Sequence, residues 1–274
     1  MASPATATQP RIVILHAPGT NRDREAALAC ELAGGRPEIV HINQLGAGER
    51  RLADHQMLLI PGGFSYGDDL GAGRLWANDL YHRFRDELDA FVASGRPVLG
   101  ICNGFQALVK AGYLPGPAPL QRVTLTQNQR GRFECRWVRL RPAAQSPCLF
   151  TRGLSDDILC PVAHGEGRLW ASDAEQRRGL QAAGLVALQY VRADGDADFS
   201  SAVPVAGEAG YPANPNGSID DIAGICNAAG NVFGLMPHPE DHVLHWQHPR
   251  WSRGERGGLG LPLFINGVRA AAQF

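Results

Sequence analysis

The sequence predicts an α/β fold in which helices cover a mostly parallel sheet on both faces, with a β-rich extension. Over the first 112 residues, short apolar runs alternate with segments of helical periodicity, the pattern of strands buried on both faces. Further along, residues 123–141 and 185–191 read as longer alternating strands, the mark of an insertion or sheet extension. No repeat or long linker divides the chain, so one domain is expected over 11–274, behind a loose, disordered tail of residues 1–10.

The elements follow in order. Arg11-Ile-Val-Ile-Leu15 is a buried strand closed by Ala17-Pro-Gly19. Asn21 is placed to cap a helix through Leu32, which Gly34-Gly35 stops. Glu38-Ile-Val-His-Ile42 and Met57-Leu-Leu-Ile60 are the next strands, the second ended by Pro61-Gly62-Gly63. Leu80, Phe84, Leu88, Phe91 and Val92 share one face of a helix that Gly95 ends. Pro97-Val-Leu-Gly-Ile101 is a fourth strand, followed by a helix from Gly104 to Ala111. Within the extension, Phe133-Glu-Cys-Arg-Trp-Val138 alternates most clearly. Asp221-Ile-Ala-Gly-Ile225 and Val232-Phe-Gly-Leu-Met236 read as a hairpin. The stretch 237–262, rich in His, Arg, Gly and Trp, reads as irregular.

Composition excludes several classes. Hydrophobic residues at 44% and charged residues at 19% exclude a disordered chain. Lys+Arg 26 against Asp+Glu 27 leaves a net charge of -1, so no global field points to nucleic acid or an anionic membrane. No apolar run is long enough to span a bilayer. The N-terminus lacks the basic start and apolar core of a secretory signal, so a cytoplasmic, reducing setting is expected. There the six cysteines are free thiols, and the sequon at Asn216 carries no glycan.

Chemistry is concentrated in a few segments. Gly100-Ile101-Cys102-Asn103-Gly104 joins a strand to a helix, the setting of a nucleophile elbow. The amides of the following helix favour a thiolate there over a thiol. The plainer reading is a cysteine packed after a strand. Gly63-Phe64-Ser65-Tyr66-Gly67 competes as a serine elbow, but three glycines within seven residues cannot readily start the helix it needs. Pro61-Gly62-Gly63 suits better a loop whose bare amides build an oxyanion hole. His238 and Glu240, two residues apart in an extended Pro237-His-Pro-Glu240 segment, would leave on one face as base and orienting carboxylate. His238, His242, His245 and His248 invite a metal reading, which the flanking prolines and the missing HExxH pattern oppose. His164-Gly-Glu-Gly-Arg168 and Asn214-Pro-Asn-Gly-Ser218 suit small polar ligands or ordinary turns. Arg130, Arg132, Arg136, Arg139 and Arg141 form a basic strip or a solvated strand face.

Taken together, Pro18-Gly-Thr-Asn-Arg-Asp23, Pro61-Gly-Gly-Phe-Ser-Tyr-Gly-Asp68, Pro97-Val-Leu-Gly-Ile-Cys-Asn-Gly-Phe-Gln106, Asn128, Phe133–Val138, Ala163-His-Gly-Glu-Gly-Arg168, Asn214–Ser218 and Met236-Pro-His-Pro-Glu240 resemble the class I (triad) glutamine amidotransferases. The Cys elbow and His-x-Glu mark that superfamily. The remaining motifs are more similar to the glutaminase subunits of phosphoribosylformylglycinamidine synthase, from purine biosynthesis. The resemblance implies a flavodoxin-like three-layer α/β/α sandwich and hydrolysis of the glutamine side-chain amide. It implies Cys102 as nucleophile, His238 as acid and base, and Glu240 as its orienting carboxylate. Gly63 and Asn103 would supply oxyanion amides, and Gln106 would help bind glutamine. Ammonia would pass to a large synthetase subunit that uses ATP and Mg²⁺, with a small third subunit beside it. No metal or cofactor is expected in this chain, and no nucleic-acid or membrane partner; a P-loop of the GxxxxGK[ST] type is missing from it. A stand-alone Cys-His γ-glutamyl hydrolase and a non-catalytic regulatory subunit remain the alternatives. Three departures stand out: Arg22 where many relatives carry cysteine, Asp69-Leu70-Gly71 for a more usual Tyr-Leu-Arg, and a longer tail after Glu240.

Overall fold

A computed structural model describes residues 9–192 and 208–274; residues 1–8 of the expected tail lie outside the described residues. The chain opens with β1 (Arg11–His16), α1 (Asp23–Leu32), β2 (Arg36–His41), the short α2 (Ile42–Gly46) and β3 (Met57–Ile60). It continues through α3 (Arg74–His82), α4 (Arg85–Ala93), β4 (Val98–Ile101) and α5 (Asn103–Lys110). Then come β5 (Val123–Thr126), β6 (Glu134–Pro142), β7 (Ile158–His164), β8 (Arg168–Ala171), α6 (Ala174–Ala182) and β9 (Val186–Val191). A single turn, α7 (Gly210–Ala213), precedes β10 (Ile222–Cys226), β11 (Val232–Leu235) and α8 (Leu261–Ala271).

Among the described residues nine strands form one sheet in the order β2-β1-β3-β4-β11-β10-β9-β6-β7, and β5 pairs with β8 in a second. The half from β2 to β11 is parallel. The half from β10 to β7 is antiparallel and forms the β-rich extension. β3, β4 and β11 are buried at every residue, which is why they read as unbroken apolar runs. Helices flank the parallel half in two groups: α1 packs with α8, and α3 with α4 and α5. No helix among the described residues is long and apolar enough to cross a membrane.

Several expectations need correction. α1 is capped by Arg22, not Asn21, and no side chain bonds the cap; Asp23 and Glu25 supply the favourable first-turn charge instead. The helix expected across Leu80–Val92 is two helices. Arg83 and Phe84 both donate backbone N–H to the Asp79 carbonyl, and the chain restarts at Arg85. Leu80, Phe84 and Leu88 are all buried across the break, so the periodicity conceals it. Residues 123–141 are not one strand but β5 and β6, which belong to different sheets. The stretch 237–262 holds three short 3-10 turns and then α8, which buries Leu263, Phe264 and Val268.

Candidate active site

β4 and β11 run parallel in register, Gly100 beside Gly234 and Ile101 beside Leu235, so their C-terminal ends open at one place. Cys102 follows β4 at φ 49° and ψ −103°, its N–H held by the Leu235 carbonyl at 2.8 Å. It is also the N-cap of α5, and Gln106 N–H returns to its carbonyl at 3.0 Å. This is the sharp strand–elbow–helix turn that the motif implied. Close packing explains its glycines: a Cβ at Gly104 would land on the Ile60 carbonyl, and one at Gly100 would sit 2.6 Å from Leu108.

β11 delivers the other pair. His238 N–H bonds the Pro161 carbonyl of β7 at 2.8 Å, and His238 Nδ1 lies 2.6 Å from Glu240 Oε1. The expected extended backbone is not what pairs them: Pro239–Asp241 forms a 3-10 turn that folds the carboxylate back onto the ring. Both side chains are almost fully buried. Burial alone would depress the imidazole, but the Glu240 charge and then Cys102 outweigh it, so the ring stands well above its ordinary pKa. Among the described residues Nε2 has no partner satisfying hydrogen-bond geometry, although Cys102 adds to the ring's electrostatics.

The Pro61–Gly63 loop meets this pair. A Cβ on Gly62 would sit 2.7 Å from His238 Cε1 and 3.4 Å from Cys102 Cβ, so only glycine admits both side chains. The Gly62 carbonyl accepts from Asn21 and Arg22 N–H at 3.5 and 3.3 Å. A planar trans peptide then directs the Gly63 N–H away from that loop. The Asn103 N–H, at the first position of α5, is among the amides a helix leaves open at its start.

Asn103 and Gln106 are drawn into the protein itself. Asn103 Oδ1 accepts from Ser65 N–H, and its Nδ2 donates to Asp68 Oδ1 and Gln106 Oε1, each at 3.0 Å. Gln106 Nε2 donates to the Glu166 carbonyl at 2.8 Å. These amides pin the 63–68 and 164–168 loops onto α5. Asp68 is pushed up to about 6 by burial and then by Glu166, against the bond from Asn103. Asp241 is likewise raised to about 6 by burial and Glu240, although Arg22 pairs with it at 3.6 Å. The departure at Arg22 thus has a structural partner beside the triad.

The competing motifs resolve differently. Ser65 is buried and shares its hydroxyl with Thr20; it opens only a kinked 3-10 turn, Ser65–Asp68, and no α-helix begins until Arg74. His242 bonds the Leu159 carbonyl and stacks edge-on against Trp137, while His248 Nδ1 accepts from Arg250 N–H. Among the described residues no group of three or more His, Cys, Asp or Glu is placed to hold a metal ion. The arginine strip is largely paired: Arg132 and Arg136 clasp buried Glu134, and Arg139 and Arg141 pair with Asp157. All six cysteines are free thiols.

An elbow cysteine beside a buried His–Glu pair, at the open ends of a parallel sheet, defines a class, and the chain belongs to it: residues 9–269 match the CobB/CobQ-like glutamine amidotransferase domain family. Within that family it is 49% identical over 272 residues to the phosphoribosylformylglycinamidine synthase subunit PurQ of Treponema denticola, covering 95% of this chain and 98% of that one. It is 47% identical over 266 residues to the PurQ subunit of Dehalococcoides mccartyi, covering 96% and 98%. Among solved structures, a chain of PurLQS from Thermotoga maritima matches with a TM-score of 0.69 and 31% identity, over 96% of this chain and 99% of that one.

Proposed function

We propose that this chain is the glutaminase subunit of a phosphoribosylformylglycinamidine synthase. It hydrolyses glutamine and passes the ammonia to a larger synthetase subunit, with a small third subunit in the assembly. The observation that carries this is Cys102 held at a strained elbow beside the buried His238–Glu240 pair. Near-full-length likeness to PurQ subunits supports the partner and the pathway.

In this mechanism the Cys102 thiolate attacks the side-chain amide carbon of glutamine. The Gly63 and Asn103 amides stabilise the oxyanion of the tetrahedral intermediate. His238 gives its proton to the departing ammonia, leaving a γ-glutamyl thioester on Cys102. His238 then takes a proton from water as it attacks the thioester, and glutamate and the thiolate are released. Glu240 holds Nδ1 and supports the cation. Gln106 acts by bracing the pocket loops rather than as a free ligand arm, since both ends of its amide are bonded within the protein. ATP and Mg²⁺ belong to the synthetase partner in this reading, and a reducing cytoplasm suits a thiol nucleophile.

The test is glutamate release from glutamine, with and without the cognate synthetase and its substrates, for wild type and Cys102→Ala. Release that needs the assembled complex and vanishes in the variant is expected. Equal release by the free chain would make it a stand-alone γ-glutamyl hydrolase. No release in either state would make it a non-catalytic subunit.

A further inference from the structure

The two glycine-rich loops, His164–Arg168 and Asn214–Ser218, bond to each other, and the mechanism above gives the side chains of His164 and Asn216 no role. Asn216 fixes their chemistry. Its Oδ1 accepts from the Ser218 N–H at 3.0 Å and the Ser218 hydroxyl at 2.7 Å, so the other end of the amide is the donor. That Nδ2 lies 2.9 Å from the Gly167 carbonyl and 3.1 Å from both Tyr190 Oη and His164 Nε2. An amide nitrogen accepts nothing. With two hydrogens for three neighbours, that amide offers His164 Nε2 no acceptor, so an Nε2–H would face a donor, and the ring carries its proton on Nδ1. Charging the ring would set N–H against N–H. Burial, and then the charge of His238, push the His164 pKa down to about 3, in the same direction.

The Nδ1–H so defined is buried and has no partner among the described residues. A buried donor left unpaired is costly, and native folds keep few of them. Its position is informative. His164 ends β7, the strand whose Pro161 carbonyl holds His238 N–H and whose Ala163 carbonyl lies 3.9 Å from Cys102 Sγ. Gly167 covers the Cδ2–Nε2 edge of the ring, where a Cβ would collide with it, and Nδ1 stands on the opposite edge.

We propose that His164 is a substrate-binding residue of the glutaminase pocket, held by Asn216 as the Nδ1–H tautomer so that this N–H donates to an oxygen of bound glutamine. The inference rests on the glutaminase reading. Asn216 and Ser218 act through the ring and are positioning residues.

The test compares His164→Asn and His164→Leu in the assembled complex, reading glutamate release against glutamine concentration, with Cys102→Ala as the blank and co-elution with the synthetase as proof of assembly. An asparagine amide places an N–H near Nδ1, and leucine places none. His164→Leu is expected to lose about tenfold or more in kcat/KM, with His164→Asn keeping most of it. Wild-type kcat/KM in an assembled His164→Leu complex, or equal losses in both variants, would overturn the proposal. In the free chain, ¹⁵N-histidine NMR is expected to show His164 protonated on Nδ1 and bare on Nε2 from pH 5 to 8; an Nε2–H signature would also overturn it. A wild-type complex no better than Cys102→Ala would instead sink the glutaminase reading itself, and this inference with it.

Discussion

Cys102 holds a backbone conformation, φ 49° and ψ −103°, that side chains with a Cβ rarely adopt. Strain of this kind costs about 1–3 kcal/mol and persists where function requires it. Cys102→Gly and Cys102→Ala both remove the thiol, but only glycine relieves the strain. The glycine variant is expected to exceed the alanine variant by about 1 kcal/mol in urea denaturation, after allowing for glycine's greater chain entropy, with neither releasing glutamate. Equal midpoints would mean the elbow is unstrained. Asp68 gives a pH-dependent counterpart. Its carboxyl is raised to about 6, so between roughly pH 4 and 6 the folded chain holds a proton that the unfolded chain has released. Stability from this group is present at low pH and lost as pH rises through 6. Asp68→Asn keeps the bond from Asn103 and is expected to raise Tm at pH 8, with the gain shrinking from pH 6 towards 4; a gain independent of pH would refute the cause. At this scale the grouping of Cys102, His238 and Glu240 was legible because each sits in a short motif. The tautomer of His164 was not, because it depends on Asn216, 52 residues away.

Most elements of the parallel half were legible because β1, β3 and β4 are apolar runs and glycine follows α1, α4 and α5, at Gly34, Gly95 and Gly112, all at positive φ; α3 ends at Arg83 with no glycine, which hid its break from α4. β7 was missed because Ile158–His164 carries Pro161 at its centre, which argues against a strand except at a sheet edge, where β7 lies. α8 was missed because glycines and charges precede it, and its two buried faces touch α1 and β3, which are remote in sequence. Close approach matters more than turn geometry at the elbow. Gly104 is helical, yet its missing Cβ is what lets α5 lie against the Ile60 carbonyl. Gly104→Ala would gain helix propensity of about 1 kcal/mol if the position were open. Here it is expected to lose about 2 kcal/mol or more in chemical denaturation, because backbone cannot step aside as a side chain can. A stabilised Gly104→Ala would show that the α5–β3 contact is looser than described.

Across the whole molecule, the segment after Glu240 packs against β7 and the His238–Glu240 turn. Leu159 N–H bonds the Gly258 carbonyl at 2.7 Å, and Gly260 N–H bonds the His242 carbonyl at 2.7 Å. Asn266 Nδ2 reaches the Phe150 and Arg152 carbonyls at 3.0 and 2.9 Å, tying α8 to the loop after β6. A Cβ on Gly260 would collide with Pro239, the residue between His238 and Glu240. The long tail is thus a wall of the domain, and the triad turn rests on it. Leu263 and Phe264 are wholly buried, and each is worth about 1.5–3 kcal/mol. Together with Val268 they account for a large share of a domain's usual stability of about 5–15 kcal/mol. Deleting residues 261–274 is therefore expected to leave a chain without a cooperative thermal transition by circular dichroism. Gly260→Val separates wall from core: it leaves the α8 side chains in place but displaces the Pro239 turn. Glutamate release in the complex is expected to fall at least tenfold while most of the Tm is kept. Full activity in Gly260→Val would show that the His238–Glu240 pair does not rest on the tail, and a cooperative transition in the truncated chain would show that the tail is no wall at all.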